Sequence, residues 1–239
     1  MTAGAGNLRV KLFADGADKA TMLEMYADPR IQGFTTNPTL MRKAGVPAYE
    51  PFCRDLLAVI PDRPISFGVL ADEMREMERQ ARRIAGWGKN VYVKVPVTNT
   101  KAEPALELIH CLSHTGVRVN VTALLTIPQV RDVCAALAGG ESAYISLFAG
   151  RIADTGLDPV PIMAAAVDLL RSHPQLELIW ASPRELLNIF QADAVGCHII
   201  TVTADVLTKL RLVGKDLDAY SLETVQMFRD DAVKAGYVL

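Results

Sequence analysis

A single lysine stands in the middle of an apolar segment of the chain. Lys94 lies within residues 91–97 (VYVKVPV), where alternation along a strand places the valines on one face and Tyr92, Lys94 and Pro96 on the other. If the valines pack against helices, Lys94 points into an interior where loss of hydration lowers the pKa of its ammonium group. A free amine in such a place attacks carbonyl groups and forms a Schiff base. The alternative is a structural lysine whose ammonium group extends to solvent.

Polar or charged residues also end five of the other predicted strands. Each type has a simple structural explanation: an asparagine before proline is common in turns, a serine after a strand often caps a helix, and a loop arginine is usually solvated. If the strands form a parallel barrel, however, their C-terminal ends meet at one mouth. We therefore expect the following residues to surround Lys94: Asp15, Asn37, Asn120, Thr122, Arg151, Ser182 and Arg184.

Two of these residues are arginines in the second half of the chain. Arg151 follows the sixth predicted strand, and Arg184 follows the seventh together with Ser182. Guanidinium groups pair with phosphate oxygens in a bidentate manner, and phosphate sites in parallel barrels favour the later loops. The pattern predicts an anion site, and a phosphorylated carbonyl compound would suit both the arginines and Lys94.

Other kinds of catalytic site find little support in the sequence. His110 and His114 are four residues apart in a helical segment, but no third ligand stands at a suitable spacing and the glutamate of an HExxH motif is missing. We expect these histidines to be surface or packing residues and the protein to hold no metal. No CxxC pair occurs, so we expect reduced, mostly buried thiols at Cys53, Cys111, Cys134 and Cys197.

The elements that must position these side chains alternate along the whole chain. Runs of β-branched and apolar residues predict eight strands, near residues 10, 34, 66, 93, 120, 146, 179 and 200. Segments with helical spacing lie between them, for example at residues 72–85 and 128–137. Strand alternating with helix predicts a parallel α/β sheet.

Eight such units account for a chain of 239 residues, which favours a single (β/α)8 TIM barrel. The competing fold is an open doubly wound sheet, but the glycine-rich first turn that usually accompanies it is missing. We expect one domain across residues 1–239. Residues 216–239 follow the eighth unit and are predicted to form an additional amphipathic C-terminal helix with a short apolar tail.

Composition limits the partners of this chain. Half of the residues are hydrophobic, and 25 basic against 27 acidic residues give a net charge of −2, so the basic excess of a nucleic-acid-binding protein is missing. The N-terminal residues do not resemble a signal peptide, and no apolar run approaches the roughly 18 residues that span a membrane. We expect a cytoplasmic protein with neither nucleic-acid nor membrane partners.

Taken together, these motifs make the sequence similar to the transaldolase family, in particular to its short-chain branch, which includes the fructose-6-phosphate aldolases. The resemblance runs nearly from end to end: the Asp15 strand, TTNP at 35–38, VYVKVPVT at 91–98, NVTALLT at 120–126, SLFAGRIADTG at 146–156 and ASPR at 181–184. The resemblance implies a (β/α)8 barrel that acts on a phosphorylated sugar. We also expect a homo-oligomer, in which the additional C-terminal helix and its apolar tail dock on a neighbouring subunit.

The resemblance also implies roles for individual residues. Lys94 would form the Schiff base, Asp15 would be the acid/base group, and Thr122 would help to fix the catalytic water. The substrate would be bound by Thr36, Asn37, Asn120, Arg151, Ser182 and Arg184. The implied reaction moves a three-carbon dihydroxyacetone unit without a metal or organic cofactor, because the protonated imine accepts the electron pair of the broken bond.

Several positions depart from the family pattern. Gly68 stands where members usually have the glutamate or glutamine that holds the proton-transfer water. Leu125 and Pro183 replace aromatic residues, and Asp15 is followed by glycine rather than threonine. Schiff-base formation and phosphate binding thus look retained, while the proton relay looks altered.

Two alternatives to a transaldolase-type enzyme remain at this point. One is another lysine-dependent aldolase that acts on a different phosphosugar. The other is a catalytically weakened sugar-phosphate binding protein. The glycine at position 68 is an argument for this hypothesis, and the presence of Lys94, Asp15 and Asn37 is an argument against it.

Overall fold

The fold is a closed barrel of eight parallel strands, each joined to the next by at least one helix. The structure is a computed structural model that describes residues 8–238. Neighbouring strands in the sequence are neighbours in the sheet, and the first strand also pairs with the last. This arrangement confirms the predicted (β/α)8 barrel and excludes the open doubly wound sheet.

All eight predicted strands are present. They are β1 (Lys11–Asp15), β2 (Ile31–Thr35), β3 (Ile65–Gly68), β4 (Val91–Pro96), β5 (Val119–Leu124), β6 (Ala143–Leu147), β7 (Leu176–Trp180) and β8 (Ile199–Val202).

The helices surround the barrel. They are α1 (Lys19–Ala27), α2 (Pro38–Lys43), α3 (Tyr49–Val59), α4 (Met74–Ala85), α5 (Leu106–His114), α6 (Ile127–Leu137), α7 (Ala149–Ala153), α8 (Pro159–Leu170), α9 (Leu187–Ala194), α10 (Ala204–Leu207) and α11 (Leu217–Lys234); a 3-10 helix, Thr208–Leu212, follows α10.

Strand β4 shows how the alternation of residue types positions the site. Val91, Val93 and Val95 are buried in the main hydrophobic core. The alternate residues face the barrel interior, where Tyr92 stacks on Tyr144 of β6 with ring centroids 3.9 Å apart. This aromatic pair lies toward the N-terminal ends of the strands. Lys94, two residues after Tyr92 on β4, therefore lies closer to the C-terminal ends.

The C-terminal helix is present but packs differently from the others. Helix α11 has no buried residue, and Leu222, Val225 and Phe228 are all more than half exposed. The predicted tail is exposed at Tyr237 and Val238, while residue 239 lies outside the described residues. The predicted amphipathic helix thus presents apolar side chains that its own barrel leaves uncovered.

Between residues 8 and 238, every helix is either too short or too polar to cross a membrane.

Candidate functional site

A cavity of about 490 Å³ opens at the C-terminal ends of the strands. Polar side chains from different strands and loops line it, because the parallel barrel brings all strand C-termini to one mouth. Six predicted site residues contribute to its wall: Asp15, Asn37, Lys94, Arg151, Ser182 and Arg184.

Lys94 lies deep in this cavity. Its Nζ donates a hydrogen bond of 3.0 Å to the backbone carbonyl of Thr36 on the loop that follows β2. Burial lowers the pKa of Lys94, while the charge of Asp15 acts in the opposite direction. Because desolvation is the larger effect, the neutral amine is more available here than on a lysine in water.

Asp15 ends β1 and accepts two hydrogen bonds from neighbouring side chains. Thr35 Oγ1 donates to Oδ1 over 2.8 Å, and Asn37 Nδ2 donates to Oδ2 over 3.3 Å. Burial raises the pKa of Asp15; Lys94 and the two hydrogen bonds act against that rise. A carboxyl group with a raised pKa exchanges protons closer to neutral pH than an aspartate in water.

Asn37 has both a structural and a site contact. Its Oδ1 accepts from the backbone N–H of Leu40 and caps α2, which begins at Pro38. Its Nδ2 faces Asp15. Asn37 is therefore a helix N-cap rather than a turn residue, and the same amide also reaches the candidate acid/base group.

Three predicted site residues, Thr36, Asn120 and Thr122, are not part of the cavity wall. The hydroxyl of Thr36 donates to the carbonyl of Ser66 over 2.9 Å. Asn120 is fully buried, with Nδ2 donating to Ser66 Oγ over 3.0 Å and Oδ1 accepting from Ser146 Oγ over 2.7 Å. Thr122 Oγ1 is buried, and no residue between 8 and 238 forms a hydrogen bond with it.

Gly68 leaves open space beside Lys94. The two residues are partners in the β3–β4 pairing, and a Cβ atom at position 68 would lie 3.9 Å from the Lys94 Cβ, an ordinary van der Waals distance. The Gly68 carbonyl accepts a 2.7 Å hydrogen bond from Tyr49. A side chain at this position therefore meets no steric obstacle at its first carbon.

The rim of the cavity depends on a close approach between α7 and the loop that follows β7. A Cβ atom on Gly150 would lie 1.5 Å from the Ser182 carbonyl oxygen, so only glycine fits there. Ser182 itself has a φ of 60°, a left-handed conformation that costs energy in a residue other than glycine. This contact brings α7, which carries Arg151, beside the loop that carries Arg184.

The two rim arginines differ in their partners. Arg184 forms a two-pronged ion pair with Asp154, including a 2.9 Å bond from Nε to Oδ1. This pairing lowers the pKa of Asp154. The guanidinium of Arg151 lies 5.6 Å from the ring centroid of Phe148, and no acidic side chain in the described chain forms a salt bridge with it.

Several cavity residues were not among the sequence-based predictions: Thr35, Ser146, Phe148 and Thr201. Three of them carry a signal in the strand pattern. Thr35 ends β2, Ser146 stands two positions after inward-facing Tyr144, and Thr201 stands two positions after inward-facing Ile199. Alternation thus predicts that these side chains face inward, whereas Phe148 lies beyond the end of β6 and carries no such signal.

The histidines and cysteines lie outside the cavity wall. His110 and His114 form hydrogen bonds with backbone carbonyls, and no group of three or more potential metal ligands occurs among residues 8–238. The four cysteines are free; burial raises the pKa of Cys53 and Cys197 to about 12 and that of Cys134 to about 11. Thiols with such pKa values are poor nucleophiles at neutral pH.

Comparison with known proteins agrees with the geometry of this barrel. The family model described as Transaldolase/Fructose-6-phosphate aldolase matches residues 12–237. A probable transaldolase of Dehalococcoides mccartyi is 37% identical over 202 residues, which cover 84% of this chain and 90% of the relative. A probable transaldolase of Thermoanaerobacter sp. strain X514 is 34% identical over 228 residues, covering 95% and 99%.

A solved structure shares the fold at much lower identity. A putative lyase/mutase from Burkholderia cenocepacia matches with a TM-score of 0.58 and 16% identity, over 95% of this chain and 86% of that one. At this identity, the likeness concerns the fold alone.

Proposed function

The chain belongs to the transaldolase/fructose-6-phosphate aldolase family and is an enzyme of the transaldolase/aldolase class; on this premise we propose that Lys94 forms a Schiff base with a ketose phosphate and that the enzyme transfers or releases a three-carbon dihydroxyacetone unit. One observation supports this proposal above all others: a partly buried lysine with a lowered pKa shares a cavity with a partly buried aspartate whose pKa is raised. A nucleophilic amine and a nearby proton acceptor are the two groups that this reaction requires.

The proposed reaction begins with the neutral amine of Lys94. The amine attacks the ketose carbonyl to give a carbinolamine, and uptake of one proton with loss of water then gives a protonated imine. Asp15 then removes the proton from the hydroxyl on the carbon beyond the scissile bond. As that hydroxyl becomes an aldehyde, the carbon–carbon bond breaks and its electron pair moves into the imine to give an enamine. The aldehyde product leaves.

The enamine has two possible fates. In transfer, its carbon attacks a second aldehyde, and Asp15 returns the proton to the new hydroxyl. In release, the enamine carbon is protonated, and water hydrolyses the imine to free dihydroxyacetone and the lysine amine. Both routes use the same lysine and aspartate. They differ in whether the enamine reacts with a second aldehyde or with a proton.

The rim supplies the proposed phosphate contacts. Arg151 forms no salt bridge in the described chain, although its charge acts on the Asp154 carboxylate, so its guanidinium donors are available to a phosphate dianion. Ser182 and Arg184 lie on the neighbouring loop, where the Gly150 contact holds them close to Arg151. A substrate bound with its phosphate at the rim and its carbonyl at Lys94 spans the cavity from mouth to floor.

We also propose that Thr36 and Asn120 bind the substrate and that Thr122 helps to fix the catalytic water, as the resemblance to the family implies. Thr36 contributes its backbone carbonyl, which accepts a hydrogen bond from Lys94 Nζ. Asn120 lies in the Ser66–Ser146 hydrogen-bond group, and the free Thr122 hydroxyl provides a place for a water.

A homo-oligomer is part of the proposal. The apolar side chains of α11, including Leu222, Val225 and Phe228, are 59–64% exposed, which is unfavourable in water. Docking of α11 on a second copy of the chain would bury them. We propose this copy as the partner, and analytical ultracentrifugation of a variant that ends before α11 tests it; an unchanged number of subunits excludes this helix from the interface.

Trapping with borohydride tests the proposed chemistry. Reduction in the presence of fructose 6-phosphate or dihydroxyacetone is expected to add the reduced substrate carbon skeleton to Lys94 alone, as located by peptide mass spectrometry. Lys94→Ala is expected to abolish the adduct, whereas the matched control Lys101→Ala, an exposed lysine paired with Glu73, retains it. An adduct at another lysine, or none at all, contradicts the proposal.

The same experiment separates the remaining candidates. Gly68 favours a catalytically weakened sugar-phosphate binding protein as the second candidate, because glycine lacks the carboxyl or amide side chain that members of the family usually have at this position. That candidate predicts an adduct at Lys94 with turnover at the uncatalysed level. Another aldolase of this type would trap a phosphosugar other than fructose 6-phosphate.

A further inference from the structure

Two threonine hydroxyls form a row beside Asp15. Thr35 Oγ1 donates to Asp15 Oδ1 over 2.8 Å, and Thr201 Oγ1 lies 2.5 Å from Thr35 Oγ1. Thr35 is 1% exposed and Thr201 6% exposed. These hydrogen bonds therefore form with little competition from water and are stronger than similar bonds at the surface.

The direction of this hydrogen-bond chain follows from the number of protons. A threonine hydroxyl has one proton to donate. Since Thr35 gives its proton to Asp15, the short contact between the two threonines requires Thr201 to donate to Thr35. The chain therefore runs from Thr201 through Thr35 to the ionised carboxylate of Asp15.

The barrel topology explains why these three side chains meet. Asp15 lies on β1, while Thr35 and Thr201 lie on β2 and β8, the strands that flank β1 on its two sides. Thr35 is the register partner of Asp15, and Thr201 is that of Phe13, two residues earlier. Closure of the barrel between β1 and β8 is what brings Thr201 into this group.

We infer that Thr35 and Thr201 are positioning residues that orient the Asp15 carboxylate and stabilise its ionised form. The inference rests on the proposed role of Asp15 as the acid/base group. It assigns a purpose to two side chains of the cavity wall, which would act on the reaction through Asp15.

The surroundings of Asp15 make this hydroxyl chain important. β2 and β8 contribute the two threonine hydroxyls, the N-cap of α2 contributes the Asn37 amide, and Lys94 from β4 acts on the carboxylate by its charge. Without Thr35, the remaining side-chain donor would be Asn37, at the longer distance of 3.3 Å. A buried carboxylate that loses a donor is less stable in its charged form, so its pKa rises.

The effect of Thr201 is indirect and should be smaller. Its hydroxyl donates to Thr35, which polarises the Thr35 hydroxyl and fixes its rotamer. Removal of the Thr201 hydroxyl leaves the bond between Thr35 and Asp15 in place but less well oriented. The two positions thus predict an ordered pair of effects at one carboxylate.

The test is a titration of the Asp15 carboxyl carbon by ¹³C NMR in the substrate-free protein, with Asp15→Asn used for assignment. Thr35→Val is expected to raise the pKa of Asp15 by about one unit, and Thr201→Val by less. Thr35→Ser and Thr201→Ser keep the hydroxyls and are expected to return the titration to the wild-type value. If Thr35→Val does not fold, Thr35→Ala and Thr201→Val serve the same purpose.

Kinetics distinguish this inference from the proposed function. In Thr35→Val, kcat for carbon–carbon cleavage is expected to fall about tenfold and its acid limb to move to higher pH, while borohydride trapping at Lys94 persists. An unchanged Asp15 titration in both valine variants overturns the inference, even if activity falls. A shifted titration in a protein that forms no Lys94 adduct supports the positioning role and contradicts the Schiff-base proposal instead.

Discussion

The floor and the rim of the cavity handle charge in different ways. At the floor, Lys94 and Asp15 are partly buried, and desolvation lowers the pKa of Lys94 and raises that of Asp15, which favours the neutral form of each group. At the rim, the side chains of Arg184 and Asp154 are 48% and 53% exposed and form an ion pair that water screens. The floor changes the protonation of its groups, whereas the rim keeps its groups charged.

This difference corresponds to two separate tasks. A group that exchanges protons or attacks a carbonyl needs a pKa near the working pH, and burial supplies it. A group that holds a phosphate must remain charged while the substrate enters and leaves, which solvent exposure permits. Substitutions at the floor should therefore change turnover and pH dependence, and those at the rim should change KM.

The largest effect is expected from Asp15→Asn at the floor. Loss of the acid/base group should lower kcat for cleavage by about 10²–10⁴-fold, while trapping at Lys94 persists. Because the charge of Asp15 raises the pKa of Lys94, its removal should lower that pKa and move the pH profile of trapping to lower pH. A trapping profile that does not move would break the electrostatic link between the two floor residues.

The next effect is expected from Arg151→Ala at the rim. A hydrogen bond to a charged group contributes roughly 1.5–3 kcal/mol, so KM for a phosphorylated substrate should rise about 10- to 100-fold, with little change for dihydroxyacetone. Arg171→Ala is the matched control, since Arg171 is 77% exposed and pairs with Asp168 within α8 and its C-terminal cap. Equal losses with both substrates would show that Arg151 is structural.

A third substitution, Gly68→Glu, adds a charge to the floor. The position has room for a Cβ beside Lys94, and a carboxylate there provides a further proton-transfer group, so turnover should rise about tenfold. The added negative charge should also raise the pKa of Lys94 and move trapping to higher pH. Gly68→Gln, which has a similar shape without the charge, should leave that profile in place.

Slower turnover in Gly68→Glu, with wild-type turnover at ordinary family rates, would contradict this account. In that case another residue already performs the proton transfer, and the space at Gly68 serves a bulkier substrate.

The smallest effect is expected from Arg184→Ala. Arg184 already pairs with Asp154, so a phosphate gains less from it than from Arg151, and KM should rise only about two- to fivefold. Asp154→Asn removes the competing carboxylate and should lower KM about twofold at low salt, with the difference fading as salt rises. An Arg184→Ala effect as large as that of Arg151→Ala would show that the ion pair opens completely on binding.

Much of the fold could be predicted from local patterns. The strand runs, the helical segments and the valine alternation around Lys94 each depend on residues close together in the sequence, and the structure confirms the barrel that they indicate. The C-terminal helix was predicted for the same reason. What covers its apolar side chains could not be predicted, because that depends on surfaces outside the helix.

The candidate site could be predicted only in part. Asp15, Asn37, Lys94, Arg151, Ser182 and Arg184 line one cavity as the strand-end rule suggests. The pairing of Arg184 with Asp154 joins loops 30 residues apart, and the enclosure of Asn120 needs serines from β3 and β6. No local pattern carries contacts of this kind.

The sequence by itself determined which residue types face the barrel interior, because side chains alternate along a strand. It thereby placed a lysine and several polar groups at the strand ends. Only the tertiary structure decided how these groups affect one another. Closure of β8 against β1 joins Thr201 to Thr35 and Asp15, and the pKa directions of Asp15 and Lys94 follow from burial by the whole barrel. Desolvation depends on every surrounding element at once, so it has no counterpart in any single segment of the chain.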